Sequence, residues 1–230
     1  MLDFDSISTV ITDLDGTLVE LKIEYEKARR ESIIMLMEIY PFPRDLFSNT
    51  DTLSQLYEKS LEILRNREHE TIIKEITNKL AKIANKYELD AAKKTNLFPG
   101  VLSSLKKIRN LKKEIILLTV NGEESVNYII KRFKIQDYFA HIFNRDMMFN
   151  FKQHPNLLLE FLKEIDIEPE KALVIGDSTF DIHCGKFIKA KTVGITSGMS
   201  SYDQLQKSGA DYIIDTFPQL FKLFRIDPQD

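Results

Sequence analysis

Ser8-Thr9-Val10-Ile11-Thr12-Asp13-Leu14-Asp15-Gly16-Thr17 runs from a short β-branched segment straight into two acids, two positions apart, and a glycine. The first half has the length and composition of a strand buried on both faces, as in a parallel sheet. Side chains alternate along a strand, so Asp13 and Asp15 are expected to leave its carboxyl end on the same side. Gly16 then permits a tight turn. An acidic strand-to-loop turn also has a purely structural reading, and the string gains meaning only from the rest of the chain.

Two further segments repeat the pattern of Ser8–Thr12. They are Glu114-Ile115-Ile116-Leu117-Leu118-Thr119 and Ala172-Leu173-Val174-Ile175-Gly176. Ile142-Phe143, Thr192-Val193-Gly194-Ile195 and Tyr212-Ile213-Ile214 read as shorter strands. Apolar residues at helical spacing lie between them: Val101, Leu102, Leu105 and Ile108; Val126, Ile129, Ile130 and Phe133; Leu157, Leu158, Phe161, Leu162 and Ile165. Strands alternating with helices predict an α/β fold around a parallel sheet.

Between Leu18 and Leu97 the alternation stops. The pattern there predicts helices near Tyr25–Ile39, Thr52–Arg65 and Thr71–Tyr87, the first ended by Pro41-Phe42-Pro43. A helical insert between two strands of one sheet reads as a second, smaller domain, and Phe98-Pro99-Gly100 is the turn that returns the chain to the sheet. The expected organisation is therefore a core of residues 1–18 and 98–230 with an inserted helical domain, 19–97.

A second acidic string, Gly176-Asp177-Ser178-Thr179-Phe180-Asp181, also follows a buried strand. Asp181 stands one helical turn beyond Asp177, where it could equally serve a helix start. In open α/β sheets functional groups gather at the carboxyl ends of strands. If the two strands are neighbours, Asp13, Asp15, Asp177 and Asp181 converge. Four close carboxylates repel one another, so either their pKa values rise or a cation neutralises them. All-oxygen ligands with open positions suit Mg²⁺ together with a phosphate. Phosphate needs donors, and Thr119-Val120-Asn121-Gly122 supplies a hydroxyl and backbone N–H groups where the next helix begins. Lys152, just before Pro155, could add a positive charge, although most lysines are solvated surface.

Composition narrows the possibilities. The chain has 230 residues, 43% hydrophobic and 29% charged, which supports a folded core and argues against disorder. A formal net charge of -3, with only short basic segments, argues against a nucleic-acid partner. Cys184 is the only cysteine, so no internal disulfide or cysteine zinc site can form. His69, His141, His154 and His183 have no metal-ligand spacing. No apolar run approaches the roughly 20 residues that span a bilayer, so no membrane partner is expected. Residues 1–8 carry Asp3 and Asp5 and no basic region, and a cytoplasmic location is expected.

In this order the motifs resemble those of the haloacid dehalogenase (HAD) superfamily, in its phosphoglycolate phosphatase-like branch with a helical cap. The matching positions are Asp13 to Thr17, Thr119, Lys152, and Gly176 to Asp181. The resemblance implies a Rossmann-like three-layer core, a cap at the 19–97 insert, and a Mg²⁺-dependent phosphatase of small phosphate monoesters such as phosphoglycolate or a sugar phosphate. It implies Asp13 as the nucleophile that forms an aspartyl-phosphate and Asp15 as general acid, then base. Thr119, Val120, Asn121 and Lys152 would bind the phosphoryl group, and the metal would lie among Asp13, Asp15, Asp177 and Asp181. Alternatives are a phosphomutase on the same scaffold, a haloacid dehalogenase, and a non-catalytic phosphate-binding protein. The chain departs from the common pattern at Val19-Glu20-Leu21, at Val120, at Gln153-His154 and at Lys189.

Overall fold

The computed structural model describes residues 5–20, 22–65, 69–148 and 157–224. Six apolar segments form strands: β1 (Thr9–Thr12), β2 (Glu114–Leu118), β3 (His141–Phe143), β4 (Ala172–Gly176), β5 (Lys191–Ile195) and β6 (Tyr212–Ile214). They make one sheet in the order β3-β2-β1-β4-β5-β6, with every neighbouring pair parallel. The expected Rossmann-like α/β core is thus what forms. Thr12 is in register with Leu117 of β2 on one side and with Ile175 of β4 on the other. The ends of three central strands are therefore level. Connections run outward from β1 in both directions, so the β1–β4 boundary is the topological switch point.

The chain divides into two compact units, Lys22–Lys94 and the remainder. The smaller unit contains α1 (Tyr25–Ile39), α2 (Leu53–Ile63) and α3 (Glu70–Ala92). The sheet unit contains α4 (Val101–Asn110), α5 (Glu123–Arg132), α6 (Arg145–Met148), α7 (Leu157–Glu164), α8 (Thr179–Phe187) and α9 (Tyr202–Lys207). Residues 19–20 and 95–97, inside the expected insert, fall in the sheet unit, where hydrogen bonds join the two segments that lead into and out of the insert. Glu20 N–H donates to Asn96 O at 3.1 Å, Phe98 N–H to Leu18 O at 3.0 Å, and the Thr95 hydroxyl to Glu20 O at 2.6 Å.

In the sheet unit, Ile11, Ile116, Leu118, Phe143 and Val174 point to one face and pack with Leu158 and Leu162 of α7 and Cys184 of α8. Burying each large aliphatic side chain contributes about 1.5–3 kcal/mol. Burial, and after it the Asp181 charge, pushes the Cys184 thiol up to about 12, which suits a packing role rather than thiol chemistry. In the helical unit, Leu36, Phe42, Leu56, Leu64, Ile76 and Leu80 form a separate core. Thr52 and Gln55 start α2 with a reciprocal capping box, and Tyr40 leaves α1 in extended conformation, as Pro41 requires. No helix among the described residues is long and apolar enough to cross a membrane.

Candidate active site

The ends of β1 and β4 bring the two acidic strings together. Asp13 N–H continues the ladder by donating to Ile175 O at 2.9 Å, so Asp13 sits beside the last residues of β4. One carboxylate oxygen from each of Asp13, Asp177 and Asp181 lies within 4.8 Å of the others. Asp177 and Asp181 are buried, and Asp13 is half-buried.

Small residues make room for these acids. A Cβ on Gly16 or Gly198 would collide with the Asp177 carboxylate, and one on Gly176 would collide with that of Asp181. Gly16 also has φ +75°, a conformation L side chains rarely adopt. Asp181 is held by the start of α8: its carboxylate accepts the Ser178 N–H at 3.0 Å and the Ser178 hydroxyl at 2.6 Å, while Ser178 Oγ accepts the Asp181 N–H. The helix-start role and a place in the acidic cluster are thus compatible. Asp177 accepts the Met199 N–H at 2.5 Å.

The electrostatics match the crowding. Burial, then the charges of Asp181, Asp177 and Asp15, hold the Asp13 carboxyl well above the usual carboxylate range. Burial also raises Asp177, against the Met199 hydrogen bond, and pushes Asp181 up to about 6. The largest influences that raise Asp13 are thus burial and its acidic neighbours. Three converging carboxylates, two of them buried, fit a hard divalent cation. Asp15, expected as a fourth carboxylate of the metal set, is not in the cluster. The regular ladder ends at Thr12, and Asp15 is instead bridged to Val19 in the turn around Gly16, so strand alternation does not carry through to it. Its charge still reaches Asp13.

The expected phosphate loop follows β2. Thr119 is buried just past the strand end, its N–H donating to Phe143 O at 2.9 Å and its hydroxyl accepting the Asn121 N–H at 3.3 Å. Arg145 N–H donates to Asn121 O at 2.9 Å, and the Asp146 carboxylate accepts the Glu123 N–H at 2.8 Å, so the start of α6 braces the loop. The Asn121 side-chain amide is buried with Nδ2 donating to nothing among the described residues. An unpaired buried donor costs about 1–3 kcal/mol, and an anion's oxygen would satisfy it. Val120 is exposed. Lys152 and His154 lie outside the described residues.

Sequence reading missed the loop after β5. The Ser197 hydroxyl donates to Gly16 O at 2.8 Å, Met199 N–H holds the Asp177 carboxylate, and Ser200 N–H donates to Asp177 O at 3.1 Å. The available signal was positional: Thr196-Ser197-Gly198 directly follows a buried parallel strand, where α/β folds place functional loops.

A family model described as haloacid dehalogenase-like hydrolase matches residues 10–195. The chain belongs to this family and is a hydrolase of its type. It is 26% identical over 217 residues to phosphoglycolate phosphatase 1 of Pseudomonas aeruginosa, covering 92% of this chain and 77% of that one. It is 25% identical over 232 residues to the pyrophosphatase PpaX of Bacillus mycoides, covering 94% and 96%. Among solved structures, a hydrolase from Pseudomonas syringae superposes with a TM-score of 0.64 at 22% identity, covering 95% of this chain and 99% of that one.

Proposed function

We propose that this hydrolase is a Mg²⁺-dependent phosphatase that removes the phosphoryl group from a small phosphate monoester through an aspartyl-phosphate at Asp13. The observation that carries this reading is the meeting of Asp13, Asp177 and Asp181 at the β1–β4 boundary, with Asp15 two residues from the nucleophile.

In the first step an Asp13 carboxylate oxygen attacks phosphorus, the phosphorus–oxygen ester bond breaks, and Asp15 gives its proton to the departing alkoxide. In the second step Asp15, now ionised, takes a proton from the attacking water, and inorganic phosphate leaves Asp13. Asp177 and Asp181, with Asp13, would hold Mg²⁺, which supplies positive charge to the phosphoryl oxygens and keeps Asp13 ionised. Thr119, the backbone around Val120 and the Asn121 amide would bind the phosphoryl oxygens, with Lys152 as a further positive charge. The helical insert would act as the cap that selects the organic part of the substrate.

Relatives named for phosphoglycolate and for pyrophosphate place both compounds, with sugar phosphates, in the test panel. Phosphate release is measured with and without Mg²⁺ for wild type and Asp13→Asn. Mg²⁺-dependent turnover lost in the variant is the expected result. A folded, metal-supplied protein that releases phosphate from none of these compounds would overturn the reading, and interconversion of sugar phosphates without free phosphate would favour a mutase.

A further inference from the structure

The turn that carries Asp15 is held from outside at the Leu18 carbonyl, which accepts the Phe98 N–H, and, next to Asp15 itself, at the Gly16 carbonyl. Within the turn, Gly16 N–H donates to Val19 O at 2.9 Å, and the N–H groups of Leu18 and Val19 both donate to Leu14 O. The Gly16 carbonyl points the other way and accepts the Ser197 hydroxyl at 2.8 Å. Gly16 has no side chain to restrict its backbone, so these two hydrogen bonds, one on each side of its Cα, set its conformation. The loop that supplies Ser197 also holds Asp177, by the Met199 N–H and by close packing of Gly198 on the carboxylate. One loop after β5 therefore touches both the Asp15 turn and the acidic cluster.

We infer that Ser197 is a positioning residue for Asp15: its hydroxyl fixes the Gly16 carbonyl and so keeps the general acid aligned with the leaving-group oxygen. This rests on the phosphatase reading, and it goes beyond it by assigning a role to a loop that carries none of the four motifs. A loosened acid is felt according to the leaving group. An alkoxide departing from an alkyl phosphate needs a proton, whereas p-nitrophenolate departs as a stable anion. Small displacements of an aligned group are enough to matter.

The test compares Ser197→Val and Ser197→Thr, two side chains of the same shape, one with a hydroxyl and one without. kcat/KM is measured for phosphoglycolate and for p-nitrophenyl phosphate with saturating Mg²⁺, beside melting temperatures. Ser197→Val is expected to lower kcat/KM about tenfold on the alkyl ester and by less than about twofold on the aryl ester, with Ser197→Thr close to wild type on both. Equal losses on the two esters, no loss on either, or a threonine variant as impaired as the valine one would overturn the inference. A wild type inactive on every ester removes the phosphatase reading and this inference with it. An active wild type whose valine variant ignores the leaving group removes this inference alone.

Discussion

Two sets of buried acids behave in opposite ways. In the helical unit, burial pushes the Asp51 carboxyl up, but Lys59 at 2.8 Å, the Ser48 N–H at 2.7 Å and the nearby Arg29 outweigh it and hold the group below its ordinary value. At the end of the sheet, burial raises Asp13, Asp177 and Asp181, and the cluster's own charges add to the shift in Asp13 and Asp181. Asp51 has its cation built in and braces the segment after α1. The sheet-end acids have been brought together at the place where strand ends meet, and the influences that dominate Asp13 are burial and the other acids. Uncompensated buried charge is costly, and such clusters concentrate where chemistry is done.

The sharpest way to break this contrast is Asp13→Asn. Turnover should fall at least about a thousandfold, because the nucleophile is gone. The metal-free protein should melt no lower than wild type, since the substitution removes one of the repelling charges. A variant that loses activity because it unfolds would erase the distinction between the two sets.

Metal addition tests the proposed Mg²⁺ site directly. At about a hundredfold excess over its dissociation constant, Mg²⁺ should stabilise the protein by about 2.7 kcal/mol, read as a rise in melting temperature that EDTA reverses. Asp181→Asn should lose most of that rise. A melting temperature indifferent to Mg²⁺ and Mn²⁺ would count against a metal at this cluster.

Acidity separates the sets by sign. Asp181 titrates at about 6 in the folded protein, against 3.8 as the ordinary value, so the folded state binds its proton more tightly than the unfolded chain does. The metal-free protein should therefore lose stability as pH rises from about 4 through 6, by up to a few kcal/mol, with Asp13 extending the loss upward. Asp51 acts oppositely: its contribution is present above the ordinary carboxylate range and is lost as pH falls through its lowered value. Denaturant titrations between pH 5 and 7, where Asp51 is ionised in both states, isolate the sheet-end acids. A stability that rises across that window would contradict the assignment.

The smallest effect is expected from Asp51→Asn. It should destabilise the protein by about 1–2 kcal/mol, because Lys59 and the Ser48 N–H lose their charged acceptor, and it should leave kcat unchanged. A large loss of kcat would show that this ion pair is not merely structural.

Legibility in the sequence followed the range of the forces involved. The β-branched runs at 9–12, 114–118 and 172–176 named three strands, since short stretches of that composition have few other stable states in a folded chain. The carboxyl end of the helix Tyr25–Ile39 was readable because proline stops it, while the helix starting near Thr71 runs on past Tyr87 to Ala92, with no breaker to mark its end. Asp13, Asp177 and Asp181 were readable as candidates because acids directly after buried strands are hard to explain by packing.

What the chain alone determined, then, was its alternation of strands and helices, its helical insert and the identity of the acids. Tertiary structure decided which of them meet. Parallel register levels the ends of β1 and β4 and places Asp177 and Asp181 against Asp13, whereas Asp15 lies in the Gly16 turn and is not one of the three grouped carboxylates. It also decided that Ser197, Gly198 and Met199 belong to the site, through hydrogen bonds and close packing between segments far apart in the chain. Local pattern records what a segment can become. Contacts across a parallel sheet depend on strand order and register, which are set by the packing of the whole core and leave no mark on any one stretch of sequence.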